Sequence, residues 1–182
     1  MNLLQQHFPA FTPQQRQLFQ QFETEFRLLN EQVNLVSRAD MDNFAERHIL
    51  HSLGIAKVVQ FPKGSAVLDV GTGGGLPGLP LAIAFPEVHF HLVDSIGKKI
   101  RAVQFLAGAL GLDNVTAEQT RAEQLRPKYD FVVSRAVAAA SAFVYLETPP
   151  AGGHVGFGEG APDGAYYSER RAVEFLLGPL PA

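Results

Sequence analysis

Cysteine is missing from this sequence of 182 residues. Without it the chain has no disulfide bond, no thiolate zinc site, no iron–sulfur cluster and no cysteine nucleophile. A chain without cysteine suits the reducing cytosol. We therefore expect a cytoplasmic protein.

Long apolar runs are missing as well. No segment approaches the roughly 18 apolar residues of a membrane span. The first residues, MNLLQQHFPAFTPQQ, contain no basic leader with an apolar core. We expect neither a signal peptide nor a membrane partner. Hydrophobic residues still make up 46% of the chain, which is typical of one globular domain with a single core.

A strong excess of one charge is also missing. The chain has 15 Lys and Arg against 18 Asp and Glu, a net charge of -3. Proteins that coat nucleic acid indiscriminately carry a strong positive charge. A nucleic-acid partner would therefore have to bind to one local basic surface of the protein.

Several catalytic motifs do not occur. The sequence has no G-x-x-x-x-G-K-[ST] loop of nucleotide hydrolases and no G-x-S-x-G elbow. His48 with His51, and His89 with His91, have the spacing of metal ligands on one face, but no third ligand accompanies either pair. We expect packed or surface histidines and no bound metal.

The first third of the chain has helical periodicity. Gln14 to Glu31 repeats apolar residues at three- and four-residue steps, after Thr12 as N-cap and a proline at the first helical position. A second helix is predicted from Met41 to Val59, with Asp40 as its cap. We interpret residues 1–60 as an N-terminal helical cap.

Residues 61–146 alternate between strand and helix patterns. The runs SAVLDVG, EVHFHLVD, NVTAE and YDFVVSRA are separated by helix-length segments at Pro77–Phe85, Gly97–Leu110 and roughly Thr120–Leu125. This pattern predicts an α/β fold with a doubly wound, mostly parallel sheet.

Residues 147–182 lose this order. Nine of the sixteen residues from Pro149 to Gly164 are Gly or Pro, and the segment reads as irregular apart from a short helical stretch at Ser168 to Leu177. We expect one compact domain overall, with C-terminal strands that are degenerate or incomplete.

The most informative stretch is VLDVGTGGGLPGLP at 67–80, where a strand runs into a glycine-rich loop and then a helix. Glycines permit positive φ and leave no side chain between backbone and ligand, while a helix start offers free N–H groups. We assign Gly71, Gly73 and Gly75 to a cofactor site; a tight turn without ligand is the alternative.

Two nucleoside cofactors fit this loop. Residues 73–78 satisfy the dinucleotide fingerprint G-x-G-x-x-G, whereas Asp69 to Gly75 reads D-x-G-x-G-x-G, the pattern of class I S-adenosylmethionine methyltransferases. In this second frame, which is anchored on the strand, Leu76 occupies the position of the third glycine of the dinucleotide motif, so we favour S-adenosyl-L-methionine. Asp94 closes the next strand and would bind the ribose of either cofactor, or cap the following helix.

The residues after the fourth strand narrow the choice of methyl acceptor. Exocyclic-amine methylases place [N/D]-P-P-[YF] where this chain has Ser134-Arg135-Ala136. The missing cysteine separately excludes pyrimidine carbon-5 methylation through a cysteine adduct. A ring nitrogen with a free lone pair, such as guanine N(7), needs no general base, so alignment of the reactants can suffice.

Basic residues cluster in two places. Lys98, Lys99 and Arg101 lie shortly after Asp94, and Arg38 and Arg47 lie in the N-terminal segment. These five are candidate phosphate contacts for RNA. A solvated helix face is the alternative interpretation of the first three.

Six blocks of the sequence occur in a familiar order. They are NLVSR at 34–38, ERHILHSL at 46–53, LDVGTGGGLPGLPLAI at 68–83, HLVDSIGKKI at 91–100, LGLDNVTAEQTRAEQ at 110–124 and FVVSRA at 131–136. Together they resemble the small-subunit ribosomal RNA guanine N(7) methyltransferases, the RsmG or GidB family. The resemblance covers about Leu18 to Phe143.

That resemblance implies a Rossmann-like class I methyltransferase that uses S-adenosyl-L-methionine. Its substrate would be a guanine N(7) in 16S ribosomal RNA, as free RNA or as the 30S subunit; we expect a monomer. Gly71 and Leu76 would line the methionine and adenosine portions of the cofactor, Asp94 its ribose, and Ala122 and Glu123 the surroundings of its adenine.

The resemblance also implies roles at the mouth of the site. Arg135 would lie there and position the reactants, and its place at the carboxyl end of a central strand independently suggests ligand contact; a structural salt bridge is the alternative. Arg47 and His48 would face the cofactor or the RNA. We count Arg135 among both the catalytic and the cofactor-binding candidates, and His48 among the RNA-binding ones.

The chain departs from the family after SRA. The family continues with a helix, a strand, an L-K-G-like turn and a last antiparallel pair that completes seven strands, whereas this chain has PPAGGHVGFGEGAPDGA. HVGFGEG could be a degenerate form of that strand and turn. A small-molecule methyltransferase and a non-catalytic nucleoside- or ribosome-binding module therefore stay open as alternatives.

Overall fold

The sheet consists of parallel strands with the first strand at its centre. The computed structural model describes residues 2–125, 129–135, 145–146 and 155–156. The four strands of the sheet are β1 Ala66–Val70, β2 His89–Asp94, β3 Val115–Gln119 and β4 Phe131–Ser134. They pair in the order β3-β2-β1-β4, and all pairs are parallel. The predicted parallel α/β sheet is confirmed.

Helices connect the first three strands. Helix α6, Gly78–Ala84, joins β1 to β2, and helix α7, Gly97–Ala109, joins β2 to β3. Between β3 and β4 the described residues form only a 3-10 turn, Ala122–Gln124. The first two connecting helices agree with the sequence patterns, and the third is shorter than the segment predicted from them.

The N-terminal cap begins with two helices, α1 Asn2–His7 and α2 Pro13–Val33. Thr12 caps α2 as predicted: its side chain accepts from the Gln15 N–H, and the Gln15 side chain accepts in return from the Thr12 N–H. Gln15 also donates to the carbonyls of Ile83 and Ala84 at the end of α6. Helix α2 is thereby attached to α6, the helix after β1, by hydrogen bonds as well as by packing.

The second predicted helix is wrong as a single element. The chain instead forms α3 Arg38–Met41, a π-helical turn Ala45–Leu50, α4 His51–Leu53 and α5 Ile55–Val58. Ser37, not Asp40, caps α3, because its side chain accepts from the Asp40 N–H. Asp42 and Asn43 follow, and short polar side chains of this kind favour turns over helix interiors.

One hydrophobic core runs through the cap and the sheet. Its fully buried members come from both parts, and they include Phe22 and Phe26 of α2, Phe44, Leu79 of α6 and Leu92 of β2. Burying a large side chain of this kind contributes about 1.5–3 kcal/mol. The cap is therefore part of what holds the loop after β1 in place.

Two further strands are described. Strands β5 Tyr145–Leu146 and β6 Val155–Gly156 pair antiparallel. The rest of the predicted irregular segment at 147–182, with its helical stretch at Ser168 to Leu177, lies outside the described residues. Among the residues that the structure describes, no helix is both long and apolar enough to cross a membrane.

Candidate functional site

The candidate site lies at the carboxyl edge of the sheet, between β1 and β4. The chain proceeds from β1 through β2 to β3 on one side, and β4 pairs on the other side of β1. A sheet of this order has a switch point between β1 and β4, where α/β proteins bind ligands in a crevice. Val70 and Ser134 are register partners there, and the Ser134 hydroxyl donates to the Val70 carbonyl at 2.9 Å. Gly71 and Arg135 are the next residues on each strand, so the structure brings these two predicted residues to one crevice.

The loop after β1 uses left-handed backbone conformations. Gly71, Gly73 and Gly75 have φ values of 68°, 59° and 87°, which residues with a Cβ rarely adopt. At Gly73 a Cβ would approach no described atom outside its chain neighbours more closely than the Gly71 carbonyl oxygen, at 4.0 Å. The space beside Gly73 is therefore open to a ligand.

Two other glycines of the loop serve packing. A Cβ at Gly74 would lie 2.9 Å from the Phe26 ring, and one at Gly78 would lie 2.7 Å from Asp69 Oδ2. Both contacts are closer than real Cβ atoms tolerate. Gly74 therefore lets α2 approach the loop, and Gly78 lets α6 approach β1. The sequence pattern alone did not separate these packing glycines from those beside the ligand space.

Gly75 and Leu76 also face the protein interior. A Cβ at Gly75 would overlap the side chain of Leu79, and Leu76 is only 3% exposed and belongs to the hydrophobic core. The N–H groups of both residues donate to the Thr72 carbonyl at 2.9 Å. Their assignment to the cofactor site remains a prediction, and in this structure their described contacts are with the protein.

Asp94 lies at the end of β2, next to the glycine loop. Its Oδ2 accepts from the Gly73 N–H at 3.0 Å and its Oδ1 accepts from the Ile96 N–H at 2.9 Å. Asp94 therefore organises the loop and the entry into α7 together. An ionised carboxylate has about four acceptor positions, so two remain for the hydroxyls of a sugar.

Asp69 is a site residue that the sequence analysis used only as part of a motif. It is fully buried; its Oδ2 accepts from the Thr72 hydroxyl at 2.7 Å and from the Gly78 N–H at 2.9 Å. Its Oδ1 is buried without a hydrogen-bond partner among the described residues. Burial raises the pKa of Asp69 to about 6, against the opposing effect of these two hydrogen bonds.

Asp69 is expected to make the free energy of unfolding depend on pH. The folded-state pKa of about 6 lies above the unfolded value of about 3.9, so between these values the unfolded chain binds fewer protons. Asp69 therefore lowers stability by about 3 kcal/mol as the pH rises through this window. Asp69→Asn should remove this component, measured by denaturant unfolding of the ligand-free protein from pH 4 to pH 7.

The control for this prediction is Asp113→Asn, which removes one carboxyl from an exposed position. The stability difference between wild type and Asp69→Asn should change steadily between pH 4 and pH 6. Parallel stability curves for wild type and Asp69→Asn would contradict the assignment.

Arg135 and His48 meet at the mouth of the crevice. Arg135 Nη2 lies 3.1 Å from His48 Nδ1, although the residues are 87 positions apart in sequence. Arg135 also lies close enough to Asp69 to oppose the rise in its pKa. The structure thus brings Arg135, His48 and the loop after β1 together, and it joins a residue predicted to contact RNA to one predicted to position the reactants.

The remaining predicted cofactor residues lie in the turn after β3. Ala122 and Glu123 belong to the 3-10 turn, which follows the edge strand on the far side of β2 from β1. Ala122 is partly exposed. Their role around the adenine remains a prediction.

The predicted RNA contacts are mostly on the surface. Lys98 and Arg101 are exposed and Lys99 is partly exposed, all on α7. Arg38 is exposed in α3, and Arg47 pairs with Asp40 at 3.0 Å while its side chain remains 56% exposed. Exposed ion pairs of this kind contribute little stability, about 0–1 kcal/mol, so Arg47 can exchange its partner for a phosphate.

In each histidine pair considered for metal binding, one imidazole has a contact of another kind. His91 lies 2.6 Å from the Tyr129 hydroxyl and 3.2 Å from Glu118 Oε2, and His48 contacts Arg135. Within the described part of the chain, no group of three or more His, Asp or Glu side chains could hold a metal ion.

Comparison with known proteins gives extensive matches. The family model for GidB, rRNA small subunit methyltransferase G, matches residues 15–155. The ribosomal RNA small subunit methyltransferase G of Christiangramia forsetii is 54% identical over 144 residues, which cover 79% of this chain and 68% of that protein. The protein of the same description from Bacteroides fragilis is 52% identical over 137 residues, which cover 75% and 66%. The chain thus spans about two thirds of the length of these relatives.

Among solved structures, a precorrin-6y C5,15-methyltransferase from Geobacter metallireducens is 13% identical with a TM-score of 0.43, over 49% of this chain and 48% of that chain. The sequence matches are far more extensive than this structural likeness, and residues 156–182 lie outside the family match.

Proposed function

The chain belongs to the rRNA small subunit methyltransferase G family, and from that premise we propose that it transfers a methyl group from S-adenosyl-L-methionine to N(7) of a guanine in 16S ribosomal RNA. The observation that carries this proposal is the crevice between β1 and β4. Gly71, Gly73, Asp94 and Arg135 lie around its mouth.

The residues present fit the methyl donor. The open space beside Gly73 admits a nucleoside. Asp94 is held at the end of β2 by two backbone N–H groups, with acceptor capacity left for ribose hydroxyls. The buried Oδ1 of Asp69 has no hydrogen-bond partner among the described residues. S-adenosyl-L-methionine supplies an electrophilic methyl group when it is bound.

Methyl transfer to guanine N(7) requires that the reactants be positioned and does not require a proton transfer. Guanine N(7) carries a free lone pair, so the protein has no proton to remove before attack. Holding two reactants in line contributes roughly 7–11 kcal/mol toward the barrier. We assign the orientation of the acceptor to Arg135, which is half-buried at the end of β4 and carries a guanidinium that stays charged in proteins.

The basic residues of α7 support RNA as the acceptor. Lys98, Lys99 and Arg101 lie in the first part of the helix that follows Asp94, so a phosphate backbone bound there would pass close to the crevice. Guanine N(7) in an A-form duplex lies in a deep, narrow groove, which makes a loop or bulge the accessible substrate.

Replacing Lys98, Lys99 and Arg101 together with alanine is expected to raise the Kd for RNA about 10-fold or more and to flatten its dependence on salt. Affinity for S-adenosylhomocysteine should remain unchanged. Filter binding over a range of salt and calorimetry measure the two quantities. Lys63→Ala, at an exposed lysine on the loop before β1, is the matched control; an unaltered salt slope in the triple variant would place the RNA elsewhere.

The proposed activity is tested by transfer of labelled methyl groups. The full chain is incubated with labelled S-adenosyl-L-methionine and with 30S subunits, naked 16S ribosomal RNA or small metabolites. We expect label in the RNA, at a guanine that becomes sensitive to cleavage chemistry specific for N(7)-methylguanine. Label in a small molecule alone would indicate a metabolite methyltransferase, and cofactor binding without any transfer would indicate a binding module; either result overturns the proposal.

A further inference from the structure

The contact between His48 and Arg135 joins the N-terminal cap to the reaction crevice. His48 lies in the π-helical turn Ala45–Leu50, and Arg135 directly follows β4. Their side chains meet at 3.1 Å. Single π-helical turns are rare and occur frequently at functional sites, so the segment that carries His48 has the backbone form expected of a functional element.

The chemistry of the two groups determines the direction of this hydrogen bond. A guanidinium has five N–H donors and no acceptor, so Arg135 must donate and His48 Nδ1 must accept. The ring proton of His48 then lies on Nε2, and the imidazole is neutral. A protonated imidazole would present a second N–H to the guanidinium and break the contact.

The position of His48 is determined by its packing. The centroid of its ring lies 5.4 Å from the ring centroid of the fully buried Phe44, and the two ring planes make an angle of 34°. Phe44 stacks on Phe26 at 4.4 Å, and Phe26 is the residue that contacts Gly74 of the glycine loop. A continuous series of ring contacts therefore runs from the glycine loop to His48, which contacts Arg135.

The charges around His48 favour the neutral ring. Burial is the main cause that lowers the pKa of His48 to about 4, followed by the charge of Arg135 on β4. Asp40 of α3 acts in the opposite direction, while His51 and Arg47 lower the pKa slightly further. The acceptor on Nδ1 is thus available throughout the neutral range.

We propose that His48 is a positioning residue, which accepts a hydrogen bond from Arg135 and holds the guanidinium toward the crevice between β1 and β4. The inference rests on the proposed function and deepens it. It replaces the expectation that His48 contacts RNA directly. The orienting group is supplied by the cap, so the cap takes part in the reaction through Arg135 as well as supporting the glycine loop.

The first test compares two substitutions at one position. His48→Phe keeps the ring and its packing on Phe44 but removes the acceptor, and kcat should fall about 10- to 100-fold, the effect of losing one hydrogen bond to a charged group. His48→Asn places an amide oxygen where Nδ1 lies and should retain kcat within about 3-fold. The KM for S-adenosyl-L-methionine should change little in either variant.

The control is His89→Asn, at an exposed histidine in β2. Thermal unfolding establishes that each variant is folded. Equal kcat values for wild type and His48→Phe would overturn the proposal. Equal losses in His48→Phe and His48→Asn would also overturn it, because a restored acceptor should restore activity.

A second measurement does not depend on activity. Nitrogen-15 NMR of the histidine rings should show His48 with its proton on Nε2, and a midpoint far below the ordinary value of about 6.5. Arg135→Ala should raise that midpoint. A proton on Nδ1, or a midpoint that is insensitive to Arg135→Ala, overturns the inference. If the wild type shows this protonation of His48 but transfers no methyl group, the result counts against the proposed function and not against the contact between His48 and Arg135.

Discussion

Arg135→Ala is expected to lower kcat/KM for methyl transfer to 30S subunits or 16S ribosomal RNA about 100- to 1,000-fold, the loss typical of removing one preorganised charged donor from an active site. Arg135 is half-buried at the end of β4, fixed by His48 at 3.1 Å and close to buried Asp69. Alanine removes the group that we propose orients the acceptor, while β4 keeps its pairing with β1.

Arg135→Lys should give an intermediate loss. The charge is retained, but the planar fork that donates to His48 and to an acceptor at the same time is lost. Steady-state kinetics and calorimetry with S-adenosylhomocysteine separate catalysis from cofactor binding. Arg27→Ala, which removes a surface ion pair within α2, is the matched control. Unchanged kinetics in Arg135→Ala would show that the arginine serves only as a structural partner of His48.

Gly73→Asn is expected to weaken binding of S-adenosylhomocysteine about 10- to 100-fold with a small effect on stability. Asparagine tolerates the left-handed conformation better than other residues with a Cβ, so the φ of 59° at Gly73 remains accessible. Its side chain would occupy the open space beside Gly73. Placing extra atoms where a ligand fits costs about 1–3 kcal/mol, which corresponds to that loss of affinity.

Gly111→Asn is a close control for this change. Gly111 has a φ of 62°, and a Cβ there would meet no atom within 4 Å, so the backbone requirement is similar and no proposed site is near. Calorimetry measures affinity and thermal unfolding measures stability. If Gly73→Asn binds S-adenosylhomocysteine like the wild type, the space beside Gly73 does not belong to the donor site.

The sequence-based predictions agreed best with the structure where they rested on short patterns of neighbouring residues. The Thr12 cap with its proline predicted the start of α2 within one residue, and the four short β-branched or apolar runs predicted all four strands of the parallel sheet. A strand pattern and a capping pattern are both short, and each acts on neighbouring residues. The division at residue 60 between cap and core stays a prediction, because one buried core crosses it.

The predictions were weakest between residues 38 and 59. Apolar spacing indicated a single helix, yet the chain forms several short helical segments around a π-helical turn. The spacing of apolar residues indicates which residues are buried. It does not reveal that one helical turn contains more residues than an α-helical turn. The π-helical turn places His48 beside the end of β4. The His48 ring contacts Phe44, which is close in sequence, and Arg135, which is 87 positions away.

By itself the sequence determined the parallel sheet, the glycine loop after β1 and the carboxylate that ends β2, because these depend on residue types and short spacings. Only the tertiary structure decided which glycines face open space and which ones face Phe26 or Leu92. It also decided that Asp69 is buried with a raised pKa and that Arg135 meets His48. Burial and contact between distant segments depend on how the elements pack in three dimensions, and no local pattern specifies that packing.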